Sequence, residues 1–213
     1  MAKKKTKKTN SKQTEIVMVL DRSGSMGAVQ SDMEGGMNRF VADQKKVKGK
    51  ALFTLAQFDT EYEVLYDGVD LKKVDHIPLV PRGLTALLDA IGRTINVVKD
   101  RIDRNKAKNR MLFVVITDGH ENSSREFTKK QILELIKQRK EKDGWEFTFL
   151  GANQDAIDEG IQIGVGVQQA MTYAPTSSGI NNTFTALCAN TTCYRDGGAV
   201  SYSALDREKA MEE

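Results

Sequence analysis

The chain is poor in the residues and runs that mark secreted, membrane-spanning and zinc-binding proteins. It contains two cysteines and two histidines among 213 residues, with no apolar signal segment near its start and no paired C-x-x-C motif. We therefore expect Cys188 and Cys193 to be reduced thiols that belong neither to a disulfide framework nor to a zinc site. The longest apolar runs, Ile16–Leu20 and Met111–Ile116, are too short to span a bilayer. These absences predict a soluble, cytoplasmic protein.

Positive charge is concentrated at one end of the chain. Six lysines lie within the first twelve residues, and subtracting those six charges changes the formal net charge from +3 to −3. A lysine run without interleaved aromatic residues is typical of a solvated tail, and nonspecific contact with nucleic acid is the alternative. We predict a basic disordered tail over residues 1–13, a folded domain over residues 14–195, and a loose polar tail over residues 196–213.

Short apolar runs alternate with longer stretches of helical periodicity, which is the pattern of an α/β domain. The run Met111–Thr117 is nearly all apolar, as expected for a central strand that is covered on both faces. Only two residues separate Ala51–Phe58 from Glu61–Tyr66, so those two strands are predicted to pair antiparallel. We predict a doubly wound, mainly parallel central sheet with one antiparallel edge strand and helices on both faces.

Oxygen-bearing side chains follow the predicted strands where a doubly wound sheet binds its ligands. The run I-V-M-V-L ends in D-R-S-G-S, the strand M-L-F-V-V-I-T is followed by Asp118, and G-L-T-A-L stands before a long apolar helix. Each segment alone is also typical of a helix N-cap. Their occurrence together at the ends of separate strands favours a shared site formed by five residues: Asp21, Ser23, Ser25, Thr85 and Asp118.

These five residues resemble the metal-ion-dependent adhesion site of von Willebrand factor type A domains, the fold shared with the integrin inserted domain. The resemblance extends from about Thr14 to Tyr173, and all five ligand positions are filled. The stretches T-D-G-H-E-N-S-S-R-E-F-T and G-W-E-F-T-F-L-G-A-N-Q-D-A are similar to those of stand-alone bacterial and bacteriophage members. The chain is therefore identified as similar to that subgroup.

The resemblance implies a module that binds Mg²⁺ or Mn²⁺ and uses it to capture a partner protein. The hydroxyls of Ser23 and Ser25 would bind the ion directly, Thr85 directly or through water, and Asp21 and Asp118 mostly through water. Hydroxyl oxygens suit a hard cation such as Mg²⁺ and bring no negative charge to it. An acidic side chain of the partner would then complete the coordination shell.

Two other classes of function stay open at this stage. One is a metal-dependent phosphoester hydrolase that uses the same site, although only His120 or Glu121 is available nearby as a general base. The other is a structural or phage-associated protein with a non-functional site, in which the lysine-rich tail does the binding. Neither a G-x-S-x-G motif nor a P-loop is present, so we expect no enzymatic activity from the domain itself.

Overall fold

The computed structural model describes residues 13–107, 109–152 and 156–213. The strands are β1 Thr14–Asp21, β2 Ala51–Phe58, β3 Tyr62–Asp70, β4 Arg110–Thr117, β5 Glu146–Gly151 and β6 Ala170–Thr172. The helices are α1 Gln30–Lys46, α2 Leu87–Asn105, α3 Lys129–Gln138, α4 Ala156–Gln162, α5 Ser177–Arg195 and α6 Ala204–Ala210. A 3₁₀ helix, Gly24–Val29, connects β1 to α1.

The described strands form one sheet in the order β3-β2-β1-β4-β5-β6. Strand β1 pairs in parallel with both β2 and β4, and β3 pairs antiparallel with β2 at the edge of the sheet. The predicted mainly parallel sheet with one antiparallel edge strand is therefore confirmed. The strand order reverses between β1 and β4, and their carboxyl ends flank the crevice in which doubly wound sheets bind ligands.

Strand β1 is buried over its whole length because helices cover both faces of the sheet. Its side chains alternate between two apolar clusters, with Ile16, Met18 and Leu20 in one cluster and Val17 and Val19 in the other. Helices α1, α5 and α6 contribute to the first cluster, and α2, α3 and α4 contribute to the second. The predicted placement of helices on both faces is thus confirmed, and it explains the unbroken apolar run of β1.

The chain after Arg195 differs from our expectation of a loose polar segment. Val200, Tyr202 and Ala210 are buried in the core, and the backbone N–H of Ala174 donates to the carbonyl of Ala210 at 2.8 Å. A capping box between Ser203 and Asp206 starts helix α6. A seven-residue helix is too short to show a clear periodicity, so α6 was not predicted from the sequence. The division into domains otherwise stays a prediction.

The predicted basic tail lies, apart from Gln13, outside the described residues. Among the helices that are described, none has the length and apolar character needed to cross a membrane.

Candidate metal centre

Asp21, the last residue of β1, has a fully buried carboxylate that is held on both of its oxygens. The backbone N–H of Ser23 donates to Oδ1 at 2.7 Å, and the hydroxyl of Thr117 donates to Oδ2 at 2.6 Å. Burial raises the pKa of Asp21 to about 6, even though both hydrogen bonds favour the charged form. A nearby cation would offset the cost of keeping this buried carboxylate ionised.

The turn after β1 brings the side chains of two serines to the end of β4. The hydroxyl oxygens of Ser23 and Ser25 lie 3.1 Å apart, and the Ser25 hydroxyl donates to Oδ1 of Asp118 at 2.7 Å. Burial raises the pKa of the Asp118 carboxyl, and the hydrogen bond from Ser25 opposes that increase. Four of the five predicted residues are thereby connected, directly or through one another, across the ends of two neighbouring strands.

Thr85 completes the group from a third loop, two residues before helix α2. Its hydroxyl oxygen lies close to Gly119, since a Cβ placed on that glycine would be 3.1 Å from it. The same Cβ would lie 3.5 Å from the Ser25 hydroxyl and 3.8 Å from the Ser23 hydroxyl. The structure therefore gathers all five predicted side chains, and the three hydroxyls surround one small space beside Gly119.

Helix capping, the alternative explanation for these residues, does not account for Ser23 or Thr85. Within the described residues, the Ser23 side chain makes no capping hydrogen bond to the 3₁₀ helix that follows it. Helix α2 has Ala86 at its N-cap position, so Thr85 does not occupy that position. The first turn of α2 instead receives a carboxylate from another segment, since Oε2 of Glu121 accepts from the backbone N–H of Leu88 at 2.9 Å.

Thr117 is a site residue that the sequence analysis missed. It is the last residue of β4, and the parallel register of β1 and β4 places it beside Asp21, where its hydroxyl orients the carboxylate. Its own carbonyl accepts a hydrogen bond from the buried phenol of Tyr173 at 3.1 Å. Burial, together with the charges of Asp118 and Asp21, raises the pKa of that phenol well above its ordinary value. The position of Thr117 directly before Asp118 was the available signal.

A buried ion pair next to the site also escaped the sequence analysis. Arg22 donates through Nε to Oδ2 of Asp59 at 2.8 Å, and Arg82 donates to the same oxygen at 2.9 Å. Burial raises the pKa of Asp59, but hydrogen bonds from the Glu61 backbone, Arg82 and Arg22 outweigh it and lower the pKa overall. By accepting from both arginines, Asp59 in the turn after β2 joins the loop after β1 to the loop that carries Thr85.

A backbone hydrogen bond reinforces this junction, because the N–H of Gly24 donates to the carbonyl of Gly83 at 3.2 Å. Gly83 has a φ of +67°, and a Cβ there would lie 2.5 Å from the hydroxyl oxygen of Thr60. Glycine is therefore required at this position both by its backbone conformation and by the space available.

His120 and Glu121, the candidates for a general base, are engaged in other contacts. Nδ1 of the exposed His120 ring lies 2.8 Å from Oε1 of Glu159. Glu121 accepts hydrogen bonds from Leu88, Ser123 and Ser124. In the described part of the chain, no three His, Cys, Asp or Glu side chains are grouped so that they could hold a metal ion. A cation beside Gly119 would instead face the three hydroxyl oxygens, with the carboxylates of Asp21 and Asp118 nearby.

The family model of the von Willebrand factor type A domain matches residues 15–185, which include all five candidate ligands. The chain belongs to the von Willebrand factor type A family. No curated protein sequence matches the chain. This membership agrees with the mainly parallel sheet described above.

Solved structures support the same fold. The von Willebrand factor domain of the type V pili tip protein Mfa5 from Porphyromonas gingivalis aligns with a TM-score of 0.66 and 13% identity, over 90% of this chain and 99% of that one. Manganese-loaded TRAP protein of Plasmodium vivax aligns with a TM-score of 0.51 and 17% identity, over 77% and 69%. Proximal thread matrix protein 1 of the mussel byssus aligns with a TM-score of 0.60 and 17% identity, over 85% of this chain. The present chain spans 46% of that mussel protein.

Proposed function

We propose that this type A domain binds one Mg²⁺ or Mn²⁺ ion and captures a protein partner through an acidic side chain. The proposed ligands are Asp21, Ser23, Ser25, Thr85 and Asp118. The observation that supports this proposal best is the convergence of three hydroxyl oxygens on the space beside Gly119, next to two carboxylates. Oxygen atoms of these kinds are the ligands that Mg²⁺ and Mn²⁺ prefer in proteins.

The division of charge within the site fits such a role. The hydroxyls of Ser23, Ser25 and Thr85 are neutral, and the Oδ1 atom of Asp118 is already shared with Ser25. Asp21 is buried behind Ser23 and is oriented by Thr117, so its negative charge attracts a cation without having to contact it. A bound divalent ion supplies a positive centre that accepts an additional carboxylate oxygen. We therefore propose that the partner contributes an Asp or Glu side chain.

The relatives supply analogies for both parts of this proposal. TRAP protein of Plasmodium vivax has been solved with manganese, and a pili tip protein carries the same fold. By analogy, we propose Mn²⁺ as an alternative to Mg²⁺ and a protein surface as the partner. Mn²⁺ takes the same oxygen ligands as Mg²⁺ and can replace it in spectroscopic measurements.

Metal binding is tested by calorimetry and thermal unfolding of the full chain. Wild-type protein should bind one Mg²⁺ and unfold at a higher temperature in its presence, whereas the Asp21→Ala/Ser23→Ala double variant should do neither. Gly27→Ala serves as a matched control, because it lies in the same turn and a Cβ there meets no atom within 4 Å. Absence of Mg²⁺ or Mn²⁺ binding by the wild type at millimolar concentration would refute the proposal.

Partner capture requires a separate experiment. The wild-type domain and the Asp21→Ala/Ser23→Ala variant are immobilised and exposed to host lysate with Mg²⁺ or with EDTA. A protein that is retained only by the wild type and only with Mg²⁺ should lose binding when its own critical Asp or Glu is replaced by Asn or Gln. Retention that is unaffected by EDTA or by the double variant contradicts capture through the ion.

Three further proposals rest on the sequence. They are membership of the stand-alone bacterial or bacteriophage subgroup, location in the cytoplasm of a bacterium or phage-infected host, and the boundary between a basic tail over residues 1–13 and the folded domain that follows it. Genomic neighbours test the first, cell fractionation tests the second, and limited proteolysis tests the third.

A further inference from the structure

The segment from Gly119 to Thr128 crosses the start of helix α2 without forming a helix or strand of its own. It contains most of the stretch T-D-G-H-E-N-S-S-R-E-F-T. Only Asp118 of that stretch is among the proposed metal ligands. Side chains from this segment and from α2 hold the segment in place through a set of hydrogen bonds. The set reaches Thr85, which lies two residues before α2, and it is therefore connected to the proposed site.

Asn122 holds the backbone of Thr85 on both sides. The N–H of Thr85 donates to Oδ1 of Asn122 at 2.9 Å, and the N–H of Asn122 donates to the carbonyl of Thr85 at 3.1 Å. Thr85 is 3% exposed and β-branched, so its χ1 rotation is restricted. Once its backbone is fixed, the position of its hydroxyl oxygen is nearly fixed as well.

Two carboxylates hold Asn122 and its neighbours against α2. Glu121 accepts from the backbone N–H of Leu88 at 2.9 Å, and its other oxygen accepts from the N–H groups of Ser123 and Ser124. Asp89, which is 7% exposed, accepts from three consecutive backbone N–H groups at 2.8 to 2.9 Å, those of Arg125, Glu126 and Phe127. The segment is therefore fastened to α2 on both sides of Asn122.

Together these contacts connect the Asp118 loop to the Thr85 loop independently of any cation. We infer that Asn122 is a positioning residue for the metal site, which holds the Thr85 hydroxyl at a fixed place relative to Ser25 and Asp118. This inference rests on the proposed metal-binding function. It also assigns a role to the segment after Asp118, which the five ligands alone leave unexplained.

Asn122→Ala removes the side-chain half of the bridge and should weaken Mg²⁺ binding about tenfold, the lower end of the range for residues that orient metal ligands. Asn38→Ala is the matched control. Oδ1 of Asn38 accepts from the N–H of Ile77 at 2.8 Å, and its Nδ2 donates to the Ile77 carbonyl at 2.9 Å, which is a similar bridge away from the proposed site. The control should leave the affinity for Mg²⁺ within twofold of the wild type.

A double-mutant cycle separates positioning through Thr85 from general loss of structure. If Asn122 acts through the Thr85 hydroxyl, then Asn122→Ala should change the affinity less than twofold in a Thr85→Ala background. Affinities are measured by calorimetry with Mg²⁺, or by the paramagnetic signal of Mn²⁺ where binding is weak. The melting temperature in EDTA reports the stability of each variant.

Three results would overturn the inference while leaving the metal site intact. The first is an affinity for Mg²⁺ that is unchanged in Asn122→Ala, and the second is an affinity that Asn38→Ala weakens as much as Asn122→Ala does. The third is an Asn122→Ala/Thr85→Ala double variant whose affinity falls by the product of the factors measured for the two single variants. Failure of the wild type to bind either metal would instead overturn the proposed function, so the two failures are distinguishable.

Discussion

Gly119→Ala places one methyl group in the space on which the three hydroxyls converge. The new carbon would lie 3.1 Å from the Thr85 hydroxyl oxygen, so Thr85 would have to move by a few tenths of an ångström. Gly119 is not among the glycines with positive φ, so alanine introduces no backbone strain there. The loss of chain entropy in the unfolded state opposes the small steric cost. In the absence of metal, the free energy of unfolding of the variant should therefore lie within about 1 kcal/mol of that of the wild type.

Metal binding should respond much more strongly than stability. Mg²⁺ requires near-ideal octahedral geometry at about 2.1 Å from its ligands, so a methyl group among the proposed ligands should reduce affinity at least about hundredfold. Mg²⁺ at 100 times the wild-type Kd stabilises the wild type by about 2.7 kcal/mol, or about 5–10 °C in Tm for a domain of this size. The same concentration would then only equal the Kd of the variant and stabilise it by about 0.4 kcal/mol.

The assay is thermal unfolding of wild type, Gly119→Ala and Gly27→Ala, each with Mg²⁺ and with EDTA. Gly27→Ala lies in the turn after β1 and meets no atom within 4 Å, so it should keep the full response to Mg²⁺. If Gly119→Ala kept the wild-type response, then the space beside Gly119 would not be the cation site.

The remaining predictions concern the pH dependence of the site and the chain after Arg195. The pKa of Asp21 is raised to about 6 in the metal-free fold, so the folded state binds a proton that the unfolded state has already lost. The contribution of Asp21 to metal-free stability should thus fall as pH rises from about 4 to 6, whereas Mg²⁺ affinity, which needs the carboxylate, should rise to a plateau above about pH 6. Calorimetric titrations from pH 5 to 8 test the second trend, and an unchanged affinity across this range would contradict it. Tyr202→Ala should cost about 3–5 kcal/mol in urea unfolding, because the side chain is buried and bonded to Thr148. Leu205→Ala, at an exposed position nearby, should change stability by less than about 0.5 kcal/mol.

The sheet and the gathering of the five site residues were predictable because both depend on patterns within single segments. A strand that is buried on both faces has an apolar run as its sequence, as β1 and β4 do. The carboxyl ends of neighbouring parallel strands meet at one edge of the sheet. Polar residues directly after two such runs therefore had to lie close together. Thr85 follows no strand directly and was included because G-L-T-A-L stands before a long apolar helix, and the structure places it two residues before α2.

The contacts that hold the loops together could not be predicted in this way. Asn122 bonds Thr85 across 37 residues, and Arg22 bonds Asp59 across the same separation. Neither pair belongs to a periodic pattern, and each depends on how two loops without regular structure fold against each other. Helix α6 was missed for a related reason, since its seven residues depend on contacts with the core and its sequence signal was limited to the capping box.

The arrangement of charge explains why the loops around the site need so many hydrogen bonds. Two carboxylates with raised pKa values lie close to each other, and the neutral hydroxyls between them offset little of their repulsion. Without a cation, repulsion and desolvation would favour separation of the β1 and β4 loops. Hydrogen bonds from Ser25 to Asp118 and from Thr117 to Asp21 oppose that separation within the site. Outside the site, the Asn122 bridge joins the β4 loop to the loop that carries Thr85, and the hydrogen bond from Gly24 to Gly83 joins the β1 loop to the same loop. The proposed site is thereby ordered before a cation binds, so the energy of the proposed metal binding would not be spent on ordering the loops.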